Sequence, residues 1–95
     1  MLVSKIRQRL RLTTTVLDAE IADLISECKH DLVLSGVVEA KLNDDDPLIL
    51  RAVSTYCRAY YEKDNVAAAR LQAAYDMLKG HLTLSADYGA QVQPP

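Results

Sequence analysis

The chain has no tryptophan and no phenylalanine, so its bulky core must come from Leu, Ile, Val and five Tyr. Two cysteines, Cys28 and Cys57, are too few for a disulfide framework. Three glycines, Gly36, Gly80 and Gly89, are too scattered to build a phosphate-cradling loop. No segment approaches the roughly 20 consecutive apolar residues that a membrane helix needs. Basic residues from Lys5 onward interrupt any signal-peptide-like start, so a soluble protein made in the cytosol is expected. A basic excess is also missing. The formal net charge is −2, which argues against a dedicated nucleic-acid binder. Ninety-five residues make one domain at most. A chain of that length buries roughly 60–65% of its unfolded surface, so association would be an easy source of added stability.

What is present is helical periodicity and segregated charge. Ile6 and Leu10 predict a short amphipathic helix over 3–10, with Lys5, Arg7, Arg9 and Arg11 on or beside it. Thr13-Thr14-Thr15 interrupts it, and Thr15 with Asp18 approximates a capping box. Leu17, Ile21, Leu24, Cys28 and Leu32 then form one stripe of a helix over 16–34, stopped by Gly36. Glu20, Asp23, Glu27 and Asp31 form an acidic stripe beside it. From Asp18 to Asp46 there are nine acids against Lys29 and Lys41. The connector 37–43 carries a short extended piece at Val37-Val38.

Asp46-Pro47 is a helix start, since the carboxylate caps free N–H groups and proline suits the first helical position. The third helix runs to about Tyr61. It has apolar stripes Ile49, Val53, Tyr56, Tyr60 and Leu50, Cys57, Tyr61, and a narrow polar face of Arg51, Thr55, Arg58 and Glu62. Asp64-Asn65 caps a fourth helix, whose buried face is expected at Ala67, Leu71, Ala74 and Leu78. Gly80 ends or weakens it. The reading is an all-α bundle of about four helices over 1–85 and a C-terminal tail over 86–95.

No catalytic constellation emerges. Cys28 and His30 point about 200° apart on a regular helix and cannot share a metal. Asp44-Asp45-Asp46 lacks the alternating ligands and turn glycine of a calcium loop, so capping is its expected role. No cofactor and no metal is expected. The basic start, in particular Lys5 and Arg9, is a candidate for weak, salt-sensitive contact with DNA phosphates.

The order and spacing of several pieces resemble a known family. They are Asp46-Pro47-Leu48-Ile49, Tyr56-Cys57-Arg58-Ala59, Asp64-Asn65, and the run from Tyr75-Asp76-Met77-Leu78-Lys79 to His81-Leu82-Thr83-Leu84-Ser85. Leu10-Arg11-Leu12 and Leu34-Ser35-Gly36-Val37 fit more loosely. The chain resembles the head–tail connector (adaptor) proteins of tailed bacteriophages and prophages, also known as DNA-packaging proteins. The resemblance implies a non-enzymatic virion protein of the neck. It implies a homo-oligomeric ring that docks on the portal, extends the DNA channel and carries a downstream neck or tail-completion protein. It also implies a terminal arm that orders on assembly, here 86–95 with Tyr88 as its anchor. In such a ring, Lys5, Arg7, Arg9 and Arg11 of one subunit would face Glu20, Asp23, Glu27 and Asp31 of the next, a head-to-tail contact. The alternatives are a small helical regulator or nucleic-acid binder using its basic first helix, and a metal-dependent or enzymatic domain.

Overall fold

A computed structural model describes residues 2–89, and among them the regular elements are all helices, with one isolated bridge besides. Four α-helices are present: α1 (Leu2–Arg9), α2 (Asp18–Ser35), α3 (Pro47–Tyr61) and α4 (Asn65–Leu84). A single 3-10 turn, Glu39–Lys41, lies in the connector between α2 and α3. The expected small all-α bundle is therefore present, with each helix within a few residues of its predicted span.

The helix starts differ in how they are made. Asp46 caps α3 by accepting the Leu48 N–H at 2.9 Å, with Pro47 in the first turn. Asp64 caps α4 by accepting the Ala67 N–H at 3.1 Å. The start of α2 departs from expectation. Leu17 stands at its N-cap position and no side chain caps it. Thr15 contributes only its carbonyl, which accepts the Asp18 N–H. Asp18 closes no capping box because Arg7 engages it through two bonds, Nε to Oδ1 at 2.9 Å and Nη2 to Oδ2 at 3.3 Å. A paired guanidinium–carboxylate contact is stronger than one backbone cap.

The ends of α1 and α2 use the same motif with different residues. After α2, Gly36 is left-handed at φ 116°, Val37 N–H reaches Leu32 C=O and Gly36 N–H reaches Val33 C=O. After α1, Arg11 is left-handed at φ 59°, Leu12 N–H reaches Arg7 C=O and Arg11 N–H reaches Gln8 C=O. Both are Schellman turns, in which glycine is the usual left-handed residue. An L-side chain there costs about 1 kcal/mol.

The core runs through all four helices. Leu2 and Ile6 come from α1, and Ile21, Leu24, Ile25, Cys28 and Leu32 from α2. Ile49, Ala52, Val53 and Cys57 come from α3, and Tyr75 and Leu82 from α4. A short loop joins α3 to α4, and these two helices share the most extensive packing. The buried face of α4 is rotated from the expected one. Ala74 is exposed, and its neighbour Tyr75 is the largest fully buried side chain. A tyrosine removes far more apolar area from water than an alanine, so the larger ring decides which way the helix turns. Gly80 does not end α4, which continues through Leu84.

Candidate functional site

The acidic stripe of α2 faces the tyrosines of α3 and α4. Tyr61 donates its hydroxyl to Glu20 and Tyr56 donates to Glu27. Tyr75 donates to Asp31 Oδ2 at 2.7 Å, and Lys79 Nζ reaches the same oxygen at 3.1 Å. Beneath them, the Cys28 thiol lies 3.6 Å from the Tyr75 hydroxyl oxygen. Helical spacing brings this about. Glu20, Glu27 and Asp31 recur along one edge of α2, and Tyr56 edges against Tyr75 with ring centroids 5.1 Å apart.

The electrostatics follow from burial and these bonds. Burial raises the Asp31 pKa, but hydrogen bonds from Tyr75 and Lys79, with the lysine charge, outweigh it and hold the carboxyl below its ordinary value. Burial, with the facing carboxylates, raises Tyr56 and Tyr61. Burial pushes the Cys28 thiol up to about 12 and the Cys57 thiol to about 11. Neither is a reactive thiolate at neutral pH. Among the described residues, no group of three or more His, Cys, Asp or Glu side chains converges on one point. No described helix is long and apolar enough to cross a membrane.

The basic start divides in two. Arg7 pairs with Asp18 as described, and Lys5 Nζ pairs with Asp45 Oδ1 at 3.0 Å. Lys29 pairs with Asp44 at 2.7 Å. Arg9 and Arg11 join Arg51 and Arg58 of α3 around an open recess of about 380 Å³, with Gln8, Ser54 and Thr55 between them. All four arginines are exposed, and among the described residues none makes an ion pair. The sequence already places Arg51 and Arg58 seven residues apart on the polar face of α3. Only the fold brings the end of α1 alongside. Asp23, the remaining member of the acidic stripe, is exposed.

The segment after α4 folds back on the connector. Val38 N–H donates to Tyr88 C=O at 2.8 Å, Val37 bridges Gly89, and Gly89 N–H returns to Ser85 C=O. The Tyr88 hydroxyl donates to Asp46 Oδ2 at 2.7 Å. Tyr88 is thus an anchor within one subunit, and the extended piece expected at Val37-Val38 is its backbone partner. Gly89 is required by close approach, since a Cβ there would lie 2.2 Å from Thr83 C=O. Of the expected tail, residues 90–95 lie outside the described residues.

This chain matches the family model described as "Phage connector protein" over residues 2–89. It belongs to that family. The match takes in all four helices and the Tyr88–Gly89 turn, so the resemblance carried by the second half extends to the first. No curated protein and no solved structure matches the chain. Membership assigns it a connector role at the phage head–tail junction.

A connector must present surface to other proteins, and α4 offers an apolar one. Val66, Ala69, Ala73, Met77, Gly80 and Leu84 recur at spacings of three and four, on the side opposite Tyr75 and Leu82. Val66, Met77 and Leu84 are 59%, 67% and 82% exposed. A helix apolar on two opposite faces normally has neighbours on both.

Proposed function

We propose that the chain is a structural subunit of the connector ring. Copies of it dock beneath the portal, extend the DNA channel and carry the neck or tail-completion protein below. The observation that carries this reading is the family match over residues 2–89. In this reading the subunit contact is the outward stripe of α4. The internal bonds support that choice. Lys5, Arg7, Glu20, Glu27 and Asp31 of the expected charge contact already have partners within the subunit. An apolar stripe with Val66, Met77 and Leu84 in the open gains the most from being covered.

Electron microscopy of the purified chain mixed with its portal protein tests the reading. Ring-shaped density capping the portal is the expected result. A chain that stays monomeric at high concentration and never joins portal particles would overturn it.

A further inference from the structure

The four-arginine face on α1 and α3 is not explained by packing. Arg9, Arg11, Arg51 and Arg58 surround one recess, and Arg9, Arg11 and Arg58 also border the adjoining hollow with Leu10, Tyr61 and Glu62. Clustered like charges repel, and a chain with 13 acids against 11 basic residues has carboxylates to spare. Yet those acids lie elsewhere. Glu62, the one carboxylate at the hollow, accepts the Asp64 N–H. Arg11 adds an independent sign. It holds the left-handed position that Gly36 holds after α2, and it keeps its guanidinium at this recess despite the unfavourable backbone.

We infer that this face binds the phosphodiester backbone of duplex DNA. Guanidinium groups suit phosphate because their fixed fork of donors matches two of its oxygens. Arg51 and Arg58 lie seven residues apart, about 10 Å along α3, comparable to the axial rise of about three base pairs of duplex. A protein partner fits less well. Protein interfaces have an apolar centre, and none of the large exposed apolar side chains borders this recess. Single-stranded nucleic acid fits less well too. It calls for exposed aromatic rings among the basic groups, whereas Tyr61 is half-buried with its hydroxyl donated to Glu20, and Tyr60, the exposed ring beside it, lines neither the recess nor the hollow. The site differs from the sequence expectation in its membership. Lys5 is held by Asp45, and Arg9 acts with Arg11, Arg51 and Arg58 instead.

The inference does not rest on the ring, because one subunit carries the whole face. Fluorescence anisotropy of a labelled 20-base-pair duplex, titrated with the chain across a salt series, tests it. Four phosphate contacts give a slope near −3.6 in log affinity against log salt, a loss of roughly 10²-fold between 50 and 200 mM. Arg51→Glu with Arg58→Glu should abolish binding. Lys41→Glu with Arg70→Glu, charge-matched and outside the recess, should retain most of it. Arg11→Gly should weaken binding about tenfold at 50 mM while raising the melting temperature, which separates loss of contact from loss of fold. No binding at 20 mM salt would overturn the inference, as would equal loss in the two double variants. Tighter binding of a single strand than of the duplex would also overturn it. So would a chain in which Arg51→Glu with Arg58→Glu spares DNA affinity but abolishes association between copies.

Discussion

Asp46 divides its two carboxylate oxygens between the start of α3 and the end of the described chain. Oδ1 accepts the Leu48 N–H and Oδ2 accepts the Tyr88 hydroxyl. One residue thus ties the cap of the central helix to the turn that follows α4. The Tyr88 hydrogen bond, against a smaller opposing effect of burial, holds the Asp46 carboxyl below its ordinary pKa.

Replacing Asp46 with Ala should remove both bonds and cost about 1 kcal/mol through the lost cap alone. Tyr88→Phe should lower the melting temperature by less, because the cap survives. The pH dependence has a definite sign. A carboxyl whose folded pKa is depressed stabilises the fold above its unfolded value, about 3.9, and that contribution disappears as pH falls through the folded value. The difference in melting temperature between Tyr88→Phe and the parent should therefore shrink below about pH 4. Thermal melts from pH 7 to pH 3 check this.

Tyr75→Phe keeps the ring in the core and removes only the hydroxyl. Asp31 then keeps Lys79 alone, and the Cys28 thiol loses its oxygen neighbour. A hydrogen bond to a charged group contributes about 2 kcal/mol, so urea denaturation should show a loss near that size. Tyr75→Ala should cost about 3–5 kcal/mol, a large part of the roughly 5–14 kcal/mol that a chain this small has in total.

Cys28 and Cys57 should resist alkylation in the native protein at pH 8. Both are fully buried, and burial raises both thiols. Labelling with a maleimide should become complete only where urea unfolds the chain. The raised values also mean that stability falls above about pH 8.5, where the unfolded thiols lose protons and the folded ones do not. Rapid labelling of either cysteine without unfolding would contradict the packing around Tyr75.

The two Schellman turns should respond in opposite directions to substitution. Gly36→Ala forces an L-side chain into φ 116° and should destabilise by about 1 kcal/mol. Arg11→Gly relieves the same strain after α1 and should stabilise by a similar amount. Denaturant midpoints of the two variants provide the comparison.

Met77→Glu places a charge in the middle of the exposed α4 stripe. Met77 is 67% exposed, so the monomer's stability should change by less than about 0.5 kcal/mol. Ring formation should be abolished, because covering that stripe would bury an unpaired carboxylate. Sedimentation or particle counting by microscopy distinguishes this outcome from a general loss of fold.

Tyr60, expected on an apolar stripe of α3, is instead 60% exposed near the end of that helix. The helix count, the caps at Asp46 and Asp64, the stop at Gly36 and the rest of the core stripes of α2 and α3 were legible in the sequence. Each depends on local spacing or on a single residue's backbone preference, and such effects act over a few positions. The face of α4 was less legible. Both of its sides are apolar, so periodicity could not choose between Ala74 and Tyr75. The cap expected at Thr15 failed for a related reason, because Asp18 found a guanidinium eleven residues earlier.

The charges mark the same boundary most clearly. The sequence by itself determined that a basic start and an acidic second helix exist, because composition along the chain is local information. Only the tertiary structure decided what they do. Packing α2 against α3 and α4 gave Glu20, Glu27 and Asp31 to three tyrosines and a lysine of the same subunit. Packing α1 against α3 left Arg9, Arg11, Arg51 and Arg58 together, with no ion pair among the described residues. Electrostatic partners are set by distance in space, and side chains 40 or more positions apart, such as Tyr61 and Glu20, meet only once the helices have packed.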